Sequence, residues 1–118
     1  MRKFLALAVL SCLNLFAFEH LTMDKYMQLR ENKDKYIIDF YAPWCPPCQV
    51  VGEYLKEIDG YKGVKIYKVN IDESKDLASL FNITSIPTLI FVKDKMIVKT
   101  INGLVPENSL KQEIEKNF

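Results

Sequence analysis

Cys45 and Cys48, three residues apart in Trp44-Cys45-Pro46-Pro47-Cys48, are the residues whose types and spacing could do chemistry. They follow an apolar run that ends at Tyr41 and precede a helix-like pattern that begins near Val50. At the first turn of a helix, two cysteines so spaced lie on one face, close enough to close a disulfide. The same turn carries unpaired backbone N–H groups and the positive end of the helix dipole, which favour a thiolate over a thiol. Pro47 suits the first helical position, where a missing N–H costs little. A CxxC also forms half of many zinc sites, but that use needs two more ligands. Outside the N-terminal leader the chain offers only His20 and no further cysteine, so thiol–disulfide chemistry is the better reading. A lone histidine near the start of a domain is expected to be solvated.

The elements that must position this pair form one domain. The chain has 118 residues and 49% apolar content, enough to bury a core without a disulfide scaffold. Lys and Arg number 16 against 15 Asp and Glu. Arg2 and Lys3 belong to the leader, and without them the balance is 14 against 15. Nothing in that balance suggests nucleic acid or an anionic membrane surface.

Residues 1–17 read as a secretory signal: two cations, an apolar run from Phe4 to Leu10, a mixed stretch, and a small residue at Ala17. The apolar run is too short to span a bilayer. Cleavage after Ala17 would leave residues 18–118 as the exported domain. In a competing reading, Val9-Leu10-Ser11-Cys12 resembles a lipoprotein box and Cys12 carries lipid. If Cys12 is removed with the leader, the domain keeps only Cys45 and Cys48. A secreted domain with its whole cysteine complement in one CxxC suits redox turnover.

Along the domain, Phe18 to Leu21 is expected as a short edge strand. Thr22 is expected to cap a helix to about Glu31, with Met23, Met27 and Tyr26 inward. Tyr36 to Tyr41 reads as a strand buried on both faces, with Asp39 anomalous inside it. Val51, Tyr54, Leu55 and Ile58 share one face of a helix that ends near Asp59-Gly60. Val64 to Asn70 makes a strand running towards Ile71. Ser74 caps a short helix with Leu77, Leu80 and Phe81 inward. Thr88 to Val92 and Met96 to Ile101 form a hairpin across Lys93-Asp94-Lys95. Pro106 opens a last helix that buries Leu110, Ile114 and Phe118. Strands and helices alternate, then a hairpin, then a helix, which defines an α/β domain.

With that order and that motif, residues 18–118 resemble the thioredoxin family, whose fold is a central mixed β-sheet flanked by helices on both faces. Asp39, six residues before Cys45, matches the family's buried aspartate, and Lys68 matches a lysine near it. Ile86-Pro87-Thr88 matches the cis-proline loop, and Gly103 a glycine beside the active-site surface. The chain also departs from the pattern. Pro46-Pro47 replaces the usual Gly-Pro, Glu53 stands where a helix proline is usual, and Tyr41 where tryptophan is usual. Phe40 to Cys45 further looks like the approach found in disulfide isomerases.

The resemblance implies that Cys45 is the exposed nucleophile and Cys48 the resolving thiol, with Asp39 as proton acceptor balanced by Lys68. Desolvation inside an apolar strand should raise the Asp39 pKa, which suits that role. Trp44, Ile86 and a cis Pro87 would bind substrate, and no cofactor or metal is implied. The expected function is reduction of protein disulfides by a monomer in the periplasm or at its membrane face. A membrane electron carrier would be its donor, and apocytochrome c or misoxidised exported proteins its candidate substrates. An oxidase or isomerase on the same fold is one alternative. A non-enzymatic module that holds copper through the thiolates is another.

Overall fold

The computed structural model of the chain describes residues 18–118, so the expected leader and Cys12 lie outside the described residues. The elements are β1 (Glu19–His20), α1 (Met23–Leu29), β2 (Tyr36–Tyr41), α2 (Pro46–Ile58), β3 (Lys65–Asn70), α3 (Lys75–Leu80), β4 (Thr88–Lys93), β5 (Met96–Asn102) and α4 (Glu107–Asn117). One five-stranded sheet has the order β1-β3-β2-β4-β5. The first three strands in that order run parallel, while β4 pairs antiparallel with β2 and β5 with β4. This is the mixed sheet expected.

Residue parity divides the core between the two faces of the sheet. Ile37, Ile66, Leu89, Phe91 and Ile101 meet Val51, Leu55 and Ile58 of α2 and Leu110 and Ile114 of α4 on one face. Ile38, Phe40, Tyr67, Val69, Ile90 and Val92 meet Leu29 of α1 and Leu77 of α3 on the other. Because β2 is covered on both sides, its run of apolar residues is continuous rather than alternating. Phe118 stacks on Phe91 with ring centroids 5.4 Å apart, which closes the α4 end of the first cluster.

Local chemistry sets the boundaries. Thr22 caps α1 by accepting from the Lys25 amide at 3.2 Å. The hairpin turns through Asp94 and Lys95, both at positive φ (51° and 69°), the twist that matches paired strands. Three expectations need correction. Met27 is 48% exposed, since α1 lays Met23, Tyr26 and Leu29 on the sheet at intervals of three, and Met27 falls one step round the helix. Leu80 is 51% exposed, because six-residue α3 turns only Leu77 inward, followed by Phe81 just past its end. Ser74 precedes α3 without a capping side-chain bond, and the Asp76 carboxylate instead accepts from the Leu77 amide at 2.8 Å.

Candidate active site

The site forms where β2 ends and α2 begins. Cys45 is the N-cap of α2, with φ −101° and ψ 105°, and its Sγ accepts from the Cys48 amide at 3.2 Å. The helix opens at Pro46 rather than Pro47, so two prolines fill its first two positions. Neither has an N–H to offer, and they stiffen the turn in φ. Cys45 and Cys48 are joined by a disulfide across a Cα–Cα separation of 5.2 Å.

Both cysteines pack with Ala42 in a small apolar cluster that Tyr41, Ile71 and Ile86 border. Cys45 keeps 5% of its surface and Cys48 2%. Cys45 is therefore buried rather than exposed as expected, because Tyr41 at the strand end, Ile71 and Ile86 of the cis-proline loop pack against the pair. The Ile86–Pro87 bond is cis, as the family pattern implies. Its loop is braced by the Thr88 hydroxyl, which donates to the Ser85 carbonyl at 2.7 Å. The Gly103 amide donates to the Pro87 carbonyl at 2.8 Å, at a φ of 85° that a side chain would strain.

Trp44 is 67% exposed, yet it is anchored, since its indole N–H donates to an Asp72 carboxylate oxygen at 2.8 Å. Asp72 is held in turn by its own amide, which donates to Asn70 Oδ1 at 2.9 Å. An exposed aromatic fixed at its polar end presents a flat apolar surface beside the sulfurs.

On the face of β2 that α2 covers lies Asp39, fully buried, with neither carboxylate oxygen hydrogen-bonded. Burial pushes its pKa up to about 6, while the nearby Lys68 ammonium pulls the other way. Lys68 Nζ stands 3.7 Å from Asp39 Oδ2, an ionic neighbour rather than a hydrogen-bond donor. The ammonium also lies against α2, where a Cβ on Gly52 would be 3.6 Å away. Gly52 is one helical turn beyond Cys48, so Lys68 lies against the turn of α2 that follows the second cysteine. Asp39 and Lys68 are register partners across β2 and β3 and therefore share a face of the sheet.

All seven residues expected from sequence thus come to one end of the sheet or to the layer beneath it. Sequence reasoning missed three contributors. Asp72 anchors Trp44 but follows a strand end with no motif around it. Gly52, against which the Lys68 ammonium lies, has no motif around it in the sequence. His20 is exposed, as expected, but its Nε2 is hydrogen-bonded to the Tyr41 hydroxyl at 2.8 Å.

A redox-active disulfide at a helix N-cap, beside a cis-proline loop and over a buried aspartate, defines a thiol–disulfide oxidoreductase domain. The family profile described as Thioredoxin matches residues 17–116, and the chain belongs to the thioredoxin family. Among curated relatives it is 37% identical over 84 residues to thioredoxin of Bacillus subtilis, covering 70% of this chain and 81% of the relative. It is 43% identical over 84 residues to thioredoxin 1 of Nostoc, covering 70% and 78%. Among solved structures, oxidised mitochondrial thioredoxin 3 of Saccharomyces cerevisiae superimposes with a TM-score of 0.75 at 33% identity, over 84% of this chain and 94% of that one.

Proposed function

We propose that this protein is exported and that it reduces protein disulfides through a Cys45–Cys48 dithiol cycle. The observation that carries the cycle is the Cys45 sulfur at the cap of α2, bonded to the Cys48 amide and linked to the Cys48 sulfur. In the reduced protein, the Cys45 thiolate attacks one sulfur of a substrate disulfide and displaces the other as a thiolate. The Cys48 thiol then gives its proton to the Asp39 carboxylate, and its thiolate attacks Cys45 Sγ. The second substrate sulfur leaves as a thiolate. Two electrons have passed to the substrate, and the Cys45–Cys48 disulfide is the oxidised product.

Asp39 is suited to the proton transfer because a carboxyl held near pH 6 is ionised at neutrality yet basic enough to accept. Lys68 keeps that carboxylate from becoming too costly to form. Trp44 offers a stacking surface, and the Ile86–Pro87 loop offers backbone for strand-like pairing with an extended substrate segment.

Export is supported by the residues themselves: the pattern of 1–17, and a domain whose cysteines all lie in one motif. Outside the cytosol, the oxidised protein needs a membrane electron carrier to be reduced again. Apocytochrome c cysteines and misoxidised exported proteins are the substrates that fit such a reductase, which acts as a monomer. Trapping with Cys48→Ser tests the reading, since mixed disulfides through Cys45 should accumulate on exported proteins. Their absence would refute it. The reduction potential separates reductase from oxidase, because the range from about −270 mV to about −120 mV corresponds to roughly 7 kcal/mol. A value near the lower end is expected.

A further inference from the structure

Sheet register lines up a row of residues that reaches from the buried carboxylate to the surface. Asp39 on β2 pairs with Lys68 on β3, and Lys68 pairs with His20 on β1. Residues in register share a face, and Tyr41, two residues beyond Asp39, shares it as well. The side chains connect along that row. Lys68 Nζ is 3.7 Å from Asp39 Oδ2 and 4.1 Å from the centroid of the Tyr41 ring, over its face. The Tyr41 hydroxyl lies 2.8 Å from His20 Nε2. The Tyr41 ring also borders the cluster that holds both cysteines.

We propose that Tyr41, clamped at its hydroxyl by His20, is a positioning residue that holds the Lys68 ammonium at Asp39 and so sets where Asp39 titrates. This rests on the assignment of Asp39 as proton acceptor for Cys48. The Lys68 side chain is 18% exposed, so water is an open alternative for its ammonium. A long, flexible lysine without a second contact would divide its time between the carboxylate and solvent. The π-face of Tyr41 supplies that second contact. A ring at a strand end can itself rotate, and the hydrogen bond to His20 holds it in place.

Burial keeps the Tyr41 hydroxyl protonated, with the Glu73 and Asp39 carboxylates adding to the effect. A protonated phenol can donate to or accept from His20 Nε2, and either arrangement fixes the ring. The charged or titratable groups at this pair are Asp39 and Tyr41 from β2, Lys68 from β3, His20 from β1 and Glu73 after β3. Gly52 of α2 and Leu89 of β4, opposite Asp39, contribute no charge. Lys68 is thus the cation that stabilises the Asp39 carboxylate, and loosening it must raise the Asp39 pKa.

The test follows the Asp39 carboxyl through its titration by carbon NMR in the oxidised protein, with Asp39→Asn assigning the signal. This readout is independent of the direction of electron flow, so it fails or holds separately from the proposed reductase activity. Tyr41→Leu should raise the Asp39 midpoint by about half a pH unit or more. Tyr41→Phe and His20→Ala break the same bond, so each should give a smaller rise of similar size, and the double variant no more than either. His20→Gln, which can still bond the phenol, should restore the midpoint. Should Tyr41→Leu fail to fold, the Tyr41→Phe and His20→Ala pair carries the test. A purely structural role would lower the melting temperature and leave the Asp39 midpoint in place. An unchanged midpoint in Tyr41→Phe and His20→Ala, or shifts that add in the double variant, would overturn the proposal.

Discussion

Replacing Asp39 by Asn should stabilise the oxidised protein, and increasingly so as the pH rises. The Asp39 carboxyl is held at about 6 in the folded chain against 3.8 for an unperturbed carboxyl. Between those values the unfolded chain has released its proton and the folded chain has not, so folding becomes less favourable as pH climbs through that window. Above it the full cost applies, about 3 kcal/mol at most from the separation of the two values. Asparagine carries no such penalty and nearly the same volume. The measurement is denaturant unfolding of both oxidised proteins at intervals from pH 3 to pH 8, compared as a difference so that other titrating groups cancel. The advantage of the variant should be smallest near pH 3 and grow to between about 1 and 3 kcal/mol by pH 7. A difference that stays flat, or shrinks with rising pH, would refute the inference that Asp39 is buried at a cost it bears only when ionised. The same variant should slow substrate reduction at pH 7 by about 100-fold, the usual scale of a lost general base.

Further outcomes follow from the same geometry. Pro46→Gly returns an amide near the Cys45 sulfur, where the Cys48 amide is the donor seen, so the Cys45 thiol pKa should fall and the couple become more oxidising. Thiolate absorbance against pH checks this, and a raised pKa rules the explanation out. Trp44→Phe keeps an aromatic surface but loses the indole bond to Asp72, so KM for a protein disulfide should rise while stability changes by less than about 1 kcal/mol. Steady-state kinetics reading an unchanged KM would count against a substrate role for Trp44. Leu110→Ala empties a fully buried position under α4 and should cost about 2–5 kcal/mol in denaturant unfolding.

Much of this architecture is legible from residue order because the informative residues break local rules for a reason. Asp39 stands out as a charge within a strand that is otherwise apolar, and it proves to be fully buried beside Lys68. The cysteines, the cis-proline loop and Gly103 each carry a backbone requirement that leaves a trace in residue type. The short helices were harder to read. In α1 and α3 one or two residues decide which side faces the sheet, so Met27 and Leu80 look inward by periodicity and are not. The contacts of His20 with Tyr41 and of Trp44 with Asp72 join residues 21 and 28 positions apart. They follow from strand register and loop path, which pattern in the chain does not specify.

Mass-spectrometric mapping of iodoacetamide adducts on the reduced, folded protein at pH 7 is the most direct check on the dithiol cycle. Rapid modification of Cys45 with Cys48 largely protected is the expected result, since a helix N-terminus favours the thiolate of its capping cysteine and Cys45 keeps 5% of its surface against 2% for Cys48. Cys45 left unmodified, or Cys48 modified at the same rate, would contradict it.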